Sequence, residues 1–244
     1  MAKKRLDLLV QEKYSHLSRN QVQSFIMQGH VEVDDQKVIK AGNLVNEDSK
    51  IHLRVMQPKY VSRAGFKLEK ALDTFNIDPA GLVVLDAGIS TGGFTDCLMQ
   101  RGVGKVYGID VAHGQVHQKV TNDPRLILME KTNLRLLENL PEEIDLATLD
   151  LSFISLTKVV DVIHKLLKDT GHLVALIKPQ FEAEKGEVPK GGVLKDEKMV
   201  DRIVAGVIEK LEAKNFKLLG LTVSPILGTT GNKEFLAYFE KINL

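Results

Sequence analysis

The sequence predicts an α/β protein whose sheet is mostly parallel with an antiparallel last strand, preceded by a small α+β unit. From Lys59 onward, near-continuous apolar runs alternate with amphipathic stretches, which is typical of parallel strands covered by helices on both faces. The last two strand-like runs, FKLLGLTVSP and KEFLAYFEKI, are joined only by ILGTTGN, which favours an antiparallel final pair. Before residue 58 the apolar spacing is first helical and then strand-like, which indicates a separate unit.

The first unit, residues 1–57, is predicted to hold two short helices and a small sheet. The helical spacing is carried by Leu6, Leu9, Val10, Val22, Phe25 and Ile26. The runs VEV, KVI and KIHLRV then suggest short strands, with DDQ as the turn between the first two. A linker-like MQPKY follows, and residues 58–244 form the second unit.

The first unit resembles the ribosomal-protein-S-four-type RNA-binding domain over nearly all of residues 4–55. The matching segments are RLD, LSRNQV, GHVEV and KAGNLVNEDSKIHL. Ser18 as N-cap would aim a helix N-terminus, with Arg19 beside it, at a phosphate. The resemblance therefore implies RNA-binding residues at Arg5, Ser18 and Arg19. A capped helix with an exposed arginine is the alternative.

The stretch LDAGISTGGFTD, residues 85–96, is a candidate ligand-binding turn of the second unit. The run Leu82 to Leu85 is a predicted buried strand and Phe94 to Arg101 a predicted helix, so the glycines lie at a strand-to-helix turn. Such turns bind phosphates or nucleoside cofactors, but the spacing is neither G-x-G-x-x-G nor a P-loop. A tight turn without a ligand also remains open.

The remaining strands and helices follow in alternation. The predicted strands are LVVLD, KVYGID, RLILME, DLATLDLSF and HLVALIK, and the clearest helices are LTKVVDVIHKLLK and EKMVDRIVAGVIEKLEAKN. Five parallel strands with a closing hairpin resemble the Rossmann-like sheet of class I S-adenosylmethionine-dependent methyltransferases. That layout implies S-adenosylmethionine as the cofactor of the glycine loop.

The same layout assigns cofactor contacts at the carboxyl ends of the strands. Asp86 is expected at the amino end of the cofactor, and Gly88 and Gly92 at its backbone contacts. Asp110 is expected to accept both ribose hydroxyls. The rest of the predicted cofactor-binding set consists of Ser90, Thr91 and Phe94 on the loop and Thr132 and Asn133 at the adenine edge. Each polar member could instead be a strand-end cap or turn residue.

Three polar residues break apolar patterns at this predicted edge: Asp150, Lys178 and Glu234. A lysine that closes a buried strand is unusual, because an unpaired buried ammonium is costly. Arg63 and Lys67 lie on a predicted helix, YVSRAGFKLEKAL, ahead of the first strand of this unit. Alone, Lys67 would be interpreted as a surface lysine.

Together these segments closely resemble the TlyA family, also called haemolysin A, of rRNA 2'-O-methyltransferases with an FtsJ-like catalytic domain. The resemblance rests on YVSRAGFKLEKAL, LDAGISTGGFTD, TLDLSFISL, LIKPQFE and GNKEFL behind the RNA-binding unit. It implies a catalytic tetrad of Lys67, Asp150, Lys178 and Glu234, and Arg63 as a further RNA-binding residue. The chain departs from the family at Ile89, where a small residue is usual, and at the linker RVMQP, where an aromatic often precedes the proline.

The tetrad implies that the enzyme makes a ribose hydroxyl nucleophilic toward a methyl sulfonium. Lys178 is expected to accept the proton with help from Lys67, while Asp150 and Glu234 orient the lysines and balance their charge. Which lysine carries the proton is left open. The family precedent implies a cytidine in large-subunit rRNA, with some members also modifying the small subunit. Because the chain stops soon after its last strand, at KINL, we expect a large-subunit preference.

Composition fits an ordinary globular protein. The chain has 244 residues, 43% hydrophobic and 27% charged, with a net charge of +1, which does not indicate a globally basic nucleic-acid binder. Residues 1–58 carry nine Lys or Arg against seven Asp or Glu, a bias that a solvated face explains as well as a nucleic-acid ligand does.

The N-terminal apolar stretch is too short for a signal peptide, so we expect a cytoplasmic protein with no membrane partner. No metal partner is expected either. Cys97 is expected in the core.

The loop of residues 182–197 has charges of both signs and the pair Gly191 and Gly192. It is interpreted as an RNA-facing lid or as a solvated connection.

Three other functions are weighed against methyl transfer. A pseudouridine synthase would need a mainly antiparallel catalytic domain, and a pore-forming haemolysin would need a membrane-inserting element. An RNA-binding protein without catalysis is disfavoured by the complete tetrad.

Overall fold

The chain folds into two compact units, Met1–Lys59 and Tyr60–Leu244. The structure is a computed structural model and describes residues 3–15, 17–54 and 58–243. The predicted linker MQPKY begins at residues 56 and 57, which lie outside these ranges, as do the last residue of KIHLRV and the last of KINL. The predicted boundary between residues 57 and 58 therefore stays a prediction.

The first unit contains two helices and two small sheets. Its elements are β1 (Lys3–Arg5), α1 (Leu6–Lys13), α2 (Arg19–Met27), β2 (Val31–Val33), β3 (Gln36–Lys37), β4 (Leu44–Asn46) and β5 (Ile51–Leu53). β2 lies between β3 and β5, and β1 pairs with β4, all antiparallel. Apolar residues of α1 and α2 pack on β2 and β5 to form one core. The two helices and small sheet are as predicted, whereas the β1–β4 pair was not.

Local sequence explains how α2 and the first hairpin begin. Ser18 caps α2 in a capping box: its N–H donates to Gln21 Oε1 at 2.9 Å, and the Gln21 N–H donates back to Ser18 Oγ at 3.4 Å. Asp34 and Asp35, in the turn between β2 and β3, have φ of 49° and 63°. Two successive positive φ values suit the twist of a tight hairpin.

The second unit is built on a seven-stranded sheet. Its elements are α3 (Ala64–Phe75), β6 (Val83–Ala87), α4 (Gly93–Gln100), β7 (Lys105–Ile109), α5 (Gln118–Thr121), β8 (Leu126–Met129), β9 (Ile144–Leu149), α6 (Val160–Leu166), β10 (Leu167–Ile177), α7 (Pro179–Glu182), α8 (Glu197–Glu212), β11 (Phe216–Val223) and β12 (Phe235–Lys241). The strand order is β11-β12-β10-β9-β6-β7-β8. β6 to β10 are parallel, and β12 runs antiparallel between β10 and β11. This confirms the predicted sheet.

Each face of the sheet has its own core. One face packs against α3 and α4, and the other packs against α6 and α8. Cys97 of α4 is buried in the first of these cores, as predicted. The sheet is therefore covered on both sides, and only its edges and strand ends reach solvent.

One predicted helix is wrong in its extent. The pattern predicts a helix over residues 156–168, but the chain forms a 3₁₀ turn at Leu156–Lys158, then α6, and enters β10 at Leu167. Leu167 is fully buried and pairs with Ile144 of β9, so strand pairing overrides the helical spacing there.

Candidate active site

Two adjoining cavities open where the parallel strands of the second unit end. The first has a volume of about 680 Å³ and the second about 500 Å³. Both are lined by the loop after β6 and the loop after β9, through Gly88, Ser90, Asp150, Ser152 and Phe153. The carboxyl edge of a parallel sheet is the usual ligand site of this architecture.

The four residues of the predicted tetrad all line the first cavity. Lys67 Nζ on α3 lies 2.5 Å from Glu234 Oε2, directly before β12. Lys178 Nζ, directly after β10, lies 2.6 Å from Asp150 Oδ1, directly after β9. The fold thus assembles two lysine–carboxylate ion pairs from residues that are far apart in the chain.

Both ion pairs are shielded from water. The side chains of Lys67 and Glu234 are 11% and 3% exposed, and those of Lys178 and Asp150 are 9% and 16% exposed. Charges buried to this extent are tolerated because each is paired, and removal of one partner leaves a costly lone charge.

The glycine loop is shaped by its protein neighbours. Gly88 has φ of 84°, and a Cβ there would lie 2.7 Å from the backbone oxygen of Asp150. Gly92 has φ of 91°, and a Cβ there would lie 3.0 Å from Val120. The groups that lie closest to these glycines are therefore the backbone at the end of the neighbouring strand β9 and a side chain of α5. Gly88 also lines both cavities, whereas Gly92 lines neither.

Asp86 lies beneath this loop rather than in a cavity. It is fully buried, and its carboxylate accepts hydrogen bonds from Thr95 Oγ1 at 2.6 Å and Thr148 Oγ1 at 3.1 Å. Burial raises the pKa of Asp86 to about 7, with the charge of Asp150 acting in the same direction and the two hydroxyls opposing it. Asp86 lines neither cavity, so its predicted contact with a cofactor stays a prediction.

Asp110 organises the second cavity. Its carboxylate accepts the backbone N–H of Ser90 and that of Ala112, both at 2.8 Å, so it ties the glycine loop to the end of β7. Thr132 and Asn133 line the same cavity. The three polar residues that the sequence assigns to a nucleoside are thus brought together.

The other predicted cofactor residues lie along the loop. Thr91 and Phe94 line the first cavity, and Ser90 lines both. Arg63, which the sequence assigns to RNA, is exposed at the start of α3 and also lines the first cavity.

Sequence reasoning missed several cavity residues. Ser152 accepts a hydrogen bond from Lys178 Nζ at 2.9 Å. Phe153 is 90% exposed with φ of 64°, and its ring contacts that of Phe181 at 5.0 Å between centroids. Gln180 Oε1 is buried beside the cavity without a hydrogen-bond partner among the described residues. The signal was present in the polar and aromatic residues of DLSF and KPQF that follow the predicted strands.

The loop between α7 and α8 reaches the first cavity through Val188 and Gly192. Asn232, 2% exposed, fastens this loop by donating to Gly192 O at 2.7 Å and accepting from the Leu194 N–H at 2.8 Å. The segment interpreted as a lid or a connection is therefore part of the cavity wall.

In the first unit, a buried carboxylate gathers the predicted RNA-binding arginines. Asp7 is fully buried and accepts hydrogen bonds from Arg5 at 2.9 and 3.0 Å, from Arg19 at 3.3 Å and from Gln23 at 3.0 Å. The bond from Arg5, with those from Gln23 and Arg19, holds the pKa of Asp7 well below its usual range, against the effect of burial. Both arginines remain about half exposed.

Neither a membrane-spanning helix nor a metal-binding group of side chains is found among the described residues. Within residues 3–15, 17–54 and 58–243, no helix is long and apolar enough to cross a membrane. Over the same ranges, no three His, Cys, Asp or Glu side chains are grouped so that they could hold a metal ion.

Similar proteins are known for both units. The description of FtsJ-like methyltransferases matches residues 60–241, and that of the S4 domain matches residues 4–51. The chain is 42% identical to Hemolysin A of Brachyspira hyodysenteriae, over 96% of this chain and 99% of that protein. It is 37% identical to the 16S/23S rRNA (cytidine-2'-O)-methyltransferase TlyA of Mycobacterium tuberculosis, over 91% of this chain and 84% of that protein.

A solved structure is similar over the whole chain. It is that of a candidate hemolysin from Streptococcus thermophilus, with a TM-score of 0.76 and 35% identity, covering 100% of this chain and 90% of that one.

Proposed function

This chain belongs to the TlyA family of FtsJ-like methyltransferases, and on that premise we propose that it transfers a methyl group from S-adenosylmethionine to a ribose 2'-hydroxyl of ribosomal RNA. The expected nucleotide is a cytidine, as in the name of the mycobacterial relative. Such an enzyme acts where ribosomal subunits are found, so the proposal includes a cytoplasmic location.

One observation carries this proposal: two largely buried lysine–carboxylate ion pairs face the first cavity. This cavity adjoins the second one, which is lined by the residues assigned to a nucleoside. A proton acceptor and a charge-balancing network are what a ribose hydroxyl needs to become nucleophilic. The second cavity, lined by Asp110, supports the cofactor side of the reaction.

The cavities fit S-adenosylmethionine in size and in donor set. Their volumes, about 680 and 500 Å³, lie in the range of small-molecule sites, roughly 300 to 1,000 Å³. Asp110 would accept the ribose hydroxyls, and Thr132 and Asn133 would meet the adenine edge. Thr91 and Phe94 would lie along the rest of the cofactor. When bound, S-adenosylmethionine supplies a methyl group on a cationic sulfonium.

The protein's own groups then act on the ribose hydroxyl. Lys178 would accept its proton, and Asp150 would neutralise the ammonium that forms. Lys67, paired with Glu234, would contribute positive charge to the same cavity and thereby stabilise the developing oxyanion. Proton acceptance and charge stabilisation are thus divided between the two ion pairs.

RNA binding is proposed for Arg5, Ser18 and Arg19 of the first unit and for Arg63 of the second. In the first unit the arginines are held by Asp7 while their side chains stay about half exposed, which suits phosphate contact. The S4-domain match over residues 4–51 supports this assignment.

The test is transfer of radiolabelled methyl from S-adenosylmethionine to purified ribosomal subunits and to naked rRNA, followed by mapping of 2'-O-methylated positions. We expect label in a single cytidine or a small number of cytidines. Absence of label from both subunits and both rRNAs, with a protein that binds S-adenosylmethionine in calorimetry, would refute the proposed reaction.

A further inference from the structure

Lys178 is held by two acceptors in the first cavity. Its Nζ lies 2.6 Å from Asp150 Oδ1 and 2.9 Å from Ser152 Oγ. Asp150 belongs to the tetrad, whereas Ser152 has no part in the function proposed above.

A second acceptor fixes the direction of the lone pair on the lysine amine. A neutral lysine has two N–H bonds and one lone pair in a tetrahedral arrangement around Nζ. With one acceptor the amine still rotates about the Cε–Nζ bond, so its lone pair has no fixed direction. When both N–H bonds are engaged, by Asp150 and Ser152, the lone pair must point away from both.

The loop that carries this serine is fastened on its far side. Phe153 packs on Phe181, with 5.0 Å between ring centroids. Glu182 accepts hydrogen bonds from Ser155 Oγ at 2.6 Å and from the Leu156 N–H at 2.8 Å. The segment after β9 is therefore bound to the segment after β10 at several points, which holds the serine hydroxyl in place beside Lys178.

The position of the serine is also specific. Ser152 and Asp150 line both cavities, whereas Lys67 and Glu234 line the first one alone. Of the two ion pairs, the pair with Lys178 is thus next to the junction of the cavities. A cofactor whose nucleoside lies in the second cavity would extend past that junction along Thr91 and Phe94, and its methyl group would there meet a substrate in the first cavity.

We propose that Ser152 is a positioning residue for methyl transfer: with Asp150, its hydroxyl directs the lone pair of Lys178 toward the ribose 2'-hydroxyl. This inference rests on the proposed function. In the step that it serves, the O–H bond of the ribose breaks, its electron pair stays on oxygen, and the proton forms a new N–H bond at Lys178 Nζ. Ser152 accepts a hydrogen bond throughout and exchanges no proton.

The first experiment compares Ser152→Ala with Ser152→Thr in single-turnover methyl transfer at saturating S-adenosylmethionine and RNA. Ser152→Thr keeps the hydroxyl and serves as the matched control. We expect the alanine variant to be slower by about tenfold to a hundredfold, at or below the lower end of the range for general acid–base catalysis because the acceptor itself is kept, and the threonine variant to stay within about threefold. Ser152 is an exposed residue, so neither change should unfold the protein.

The pH profile separates positioning from a structural effect. A hydroxyl accepts a stronger hydrogen bond from an ammonium than from an amine, so its loss disfavours the ammonium. The acidic limb of the rate profile should therefore move to lower pH in Ser152→Ala, by about half a pH unit. A merely structural role would lower the rate at every pH without moving the limb.

A third readout needs neither cofactor nor RNA. Lysines are labelled with a small amine-reactive anhydride at fixed pH, and the labelling of Lys178 relative to Lys67 is measured by mass spectrometry. We expect this ratio to rise about threefold or more in Ser152→Ala, because the amine form is favoured, and to stay at the parent value in Ser152→Thr.

The outcomes distinguish this inference from the proposed function. If the parent protein transfers no methyl group to rRNA, the proposed function fails whatever the serine does. If the parent is active and Ser152→Ala matches it in rate and in labelling ratio, Ser152 does not position Lys178 and the inference is overturned. A slow Ser152→Thr variant would also overturn it, because the hydroxyl would then not be the group that matters.

Discussion

At the scale of single residues, each lysine of the first cavity has a carboxylate of its own. Lys67 is paired with Glu234 and Lys178 with Asp150, although both lysines are nearly buried. Pairing lets four charged side chains share one small space, and it makes each of them sensitive to loss of its partner.

The first prediction concerns the proposed proton acceptor. Lys178→Ala should reduce single-turnover methyl transfer by about a hundredfold to ten-thousandfold, because it removes the acceptor and leaves the second cavity intact. Calorimetric affinity for S-adenosylmethionine should stay near the parent value. Lys165→Ala, a change at an exposed lysine of α6, is the control and should keep the parent rate. A Lys178→Ala rate within a few-fold of the parent would move the assignment to Lys67.

The second prediction follows from the buried Asp86. Its pKa is raised to about 7 by burial, whereas an unfolded aspartate titrates near 3.9. Between about pH 4 and pH 7 the folded state binds a proton that the unfolded state has lost, so the contribution of Asp86 to the free energy of unfolding falls as pH rises through this window.

Asp86→Asn cannot titrate and should remove this dependence. Relative to the parent, the variant should gain stability on the order of 4 kcal/mol as pH rises from 4 to 7. Urea unfolding at several pH values measures the difference between the two curves. Parallel curves would mean that Asp86 is ionised in the folded protein throughout.

At the scale of elements, the loop between β6 and α4 is fitted to the end of β9. The close approach of Gly88 to the Asp150 backbone fixes the spacing between two neighbouring strand ends. The same two strand ends carry the lining that both cavities share. The loop therefore supports the ion pair of Lys178 with Asp150 as well as the predicted cofactor site.

The third prediction tests this fit with two alanine variants. Gly88 has φ of 84° and a Cβ there would collide with the Asp150 backbone, whereas Gly114 has φ of 70° with no atom within 4 Å of a Cβ. Both changes cost the strain of a positive φ, about 1 to 2 kcal/mol, and Gly88→Ala alone adds a backbone clash. We expect Gly88→Ala to lower the free energy of unfolding by at least about 2 kcal/mol more than Gly114→Ala.

Chemical unfolding of both variants gives that difference directly. Methyl transfer should also fall in Gly88→Ala, since the clash displaces the strand end that carries Asp150. Equal free energies of unfolding for the two variants would show that the backbone at Asp150 moves aside for a Cβ at position 88 without loss of stability.

At the scale of the whole molecule, the proposed function divides between the two units. The first offers the arginines gathered around Asp7, and the second contains the cavities and the ion pairs. With a net charge of only +1 for the chain, RNA affinity must come from such local groups rather than from overall charge.

The fourth prediction tests that division. Arg19→Ala should weaken binding to rRNA and reduce the log–log salt slope by about 0.7 to 0.9, the value of one phosphate contact. Affinity for S-adenosylmethionine should not change. Arg54→Ala, at an exposed arginine paired with Glu32, is the control and should keep the parent slope. An unaltered slope in Arg19→Ala would remove that residue from the RNA interface.

The directions of the strands and the family could be predicted from the sequence because they depend on long, strongly patterned runs and on segments with specific motifs. The parallel strands, the antiparallel last strand and the resemblance to the TlyA family are all confirmed. The β1–β4 pair was missed because β1, Lys3–Arg5, contains only charged residues and so shows no apolar alternation.

The candidate site could be predicted only in part. An acid at a strand end gives no sign of which way it points, so the burial of Asp86 under Thr95 and Thr148 was not foreseen. A glycine pattern shows that something comes close but not that it is the Asp150 backbone. The pairing of Lys67 with Glu234, 167 positions apart, depends on the complete fold, and here the family resemblance supplied what periodicity could not.

The reversed direction of β12 has a consequence for how the protein is made. Because this strand is antiparallel, its first residue, rather than its last, lies at the edge that holds the cavities, next to the end of β10. Glu234 therefore reaches Lys67 only after residues 235–241 have left the ribosome and the strand has slotted between β10 and β11. A nascent or truncated chain that ends before Glu234 carries Lys67 without this counter-ion. Both ion pairs can form only in a chain that extends through β12.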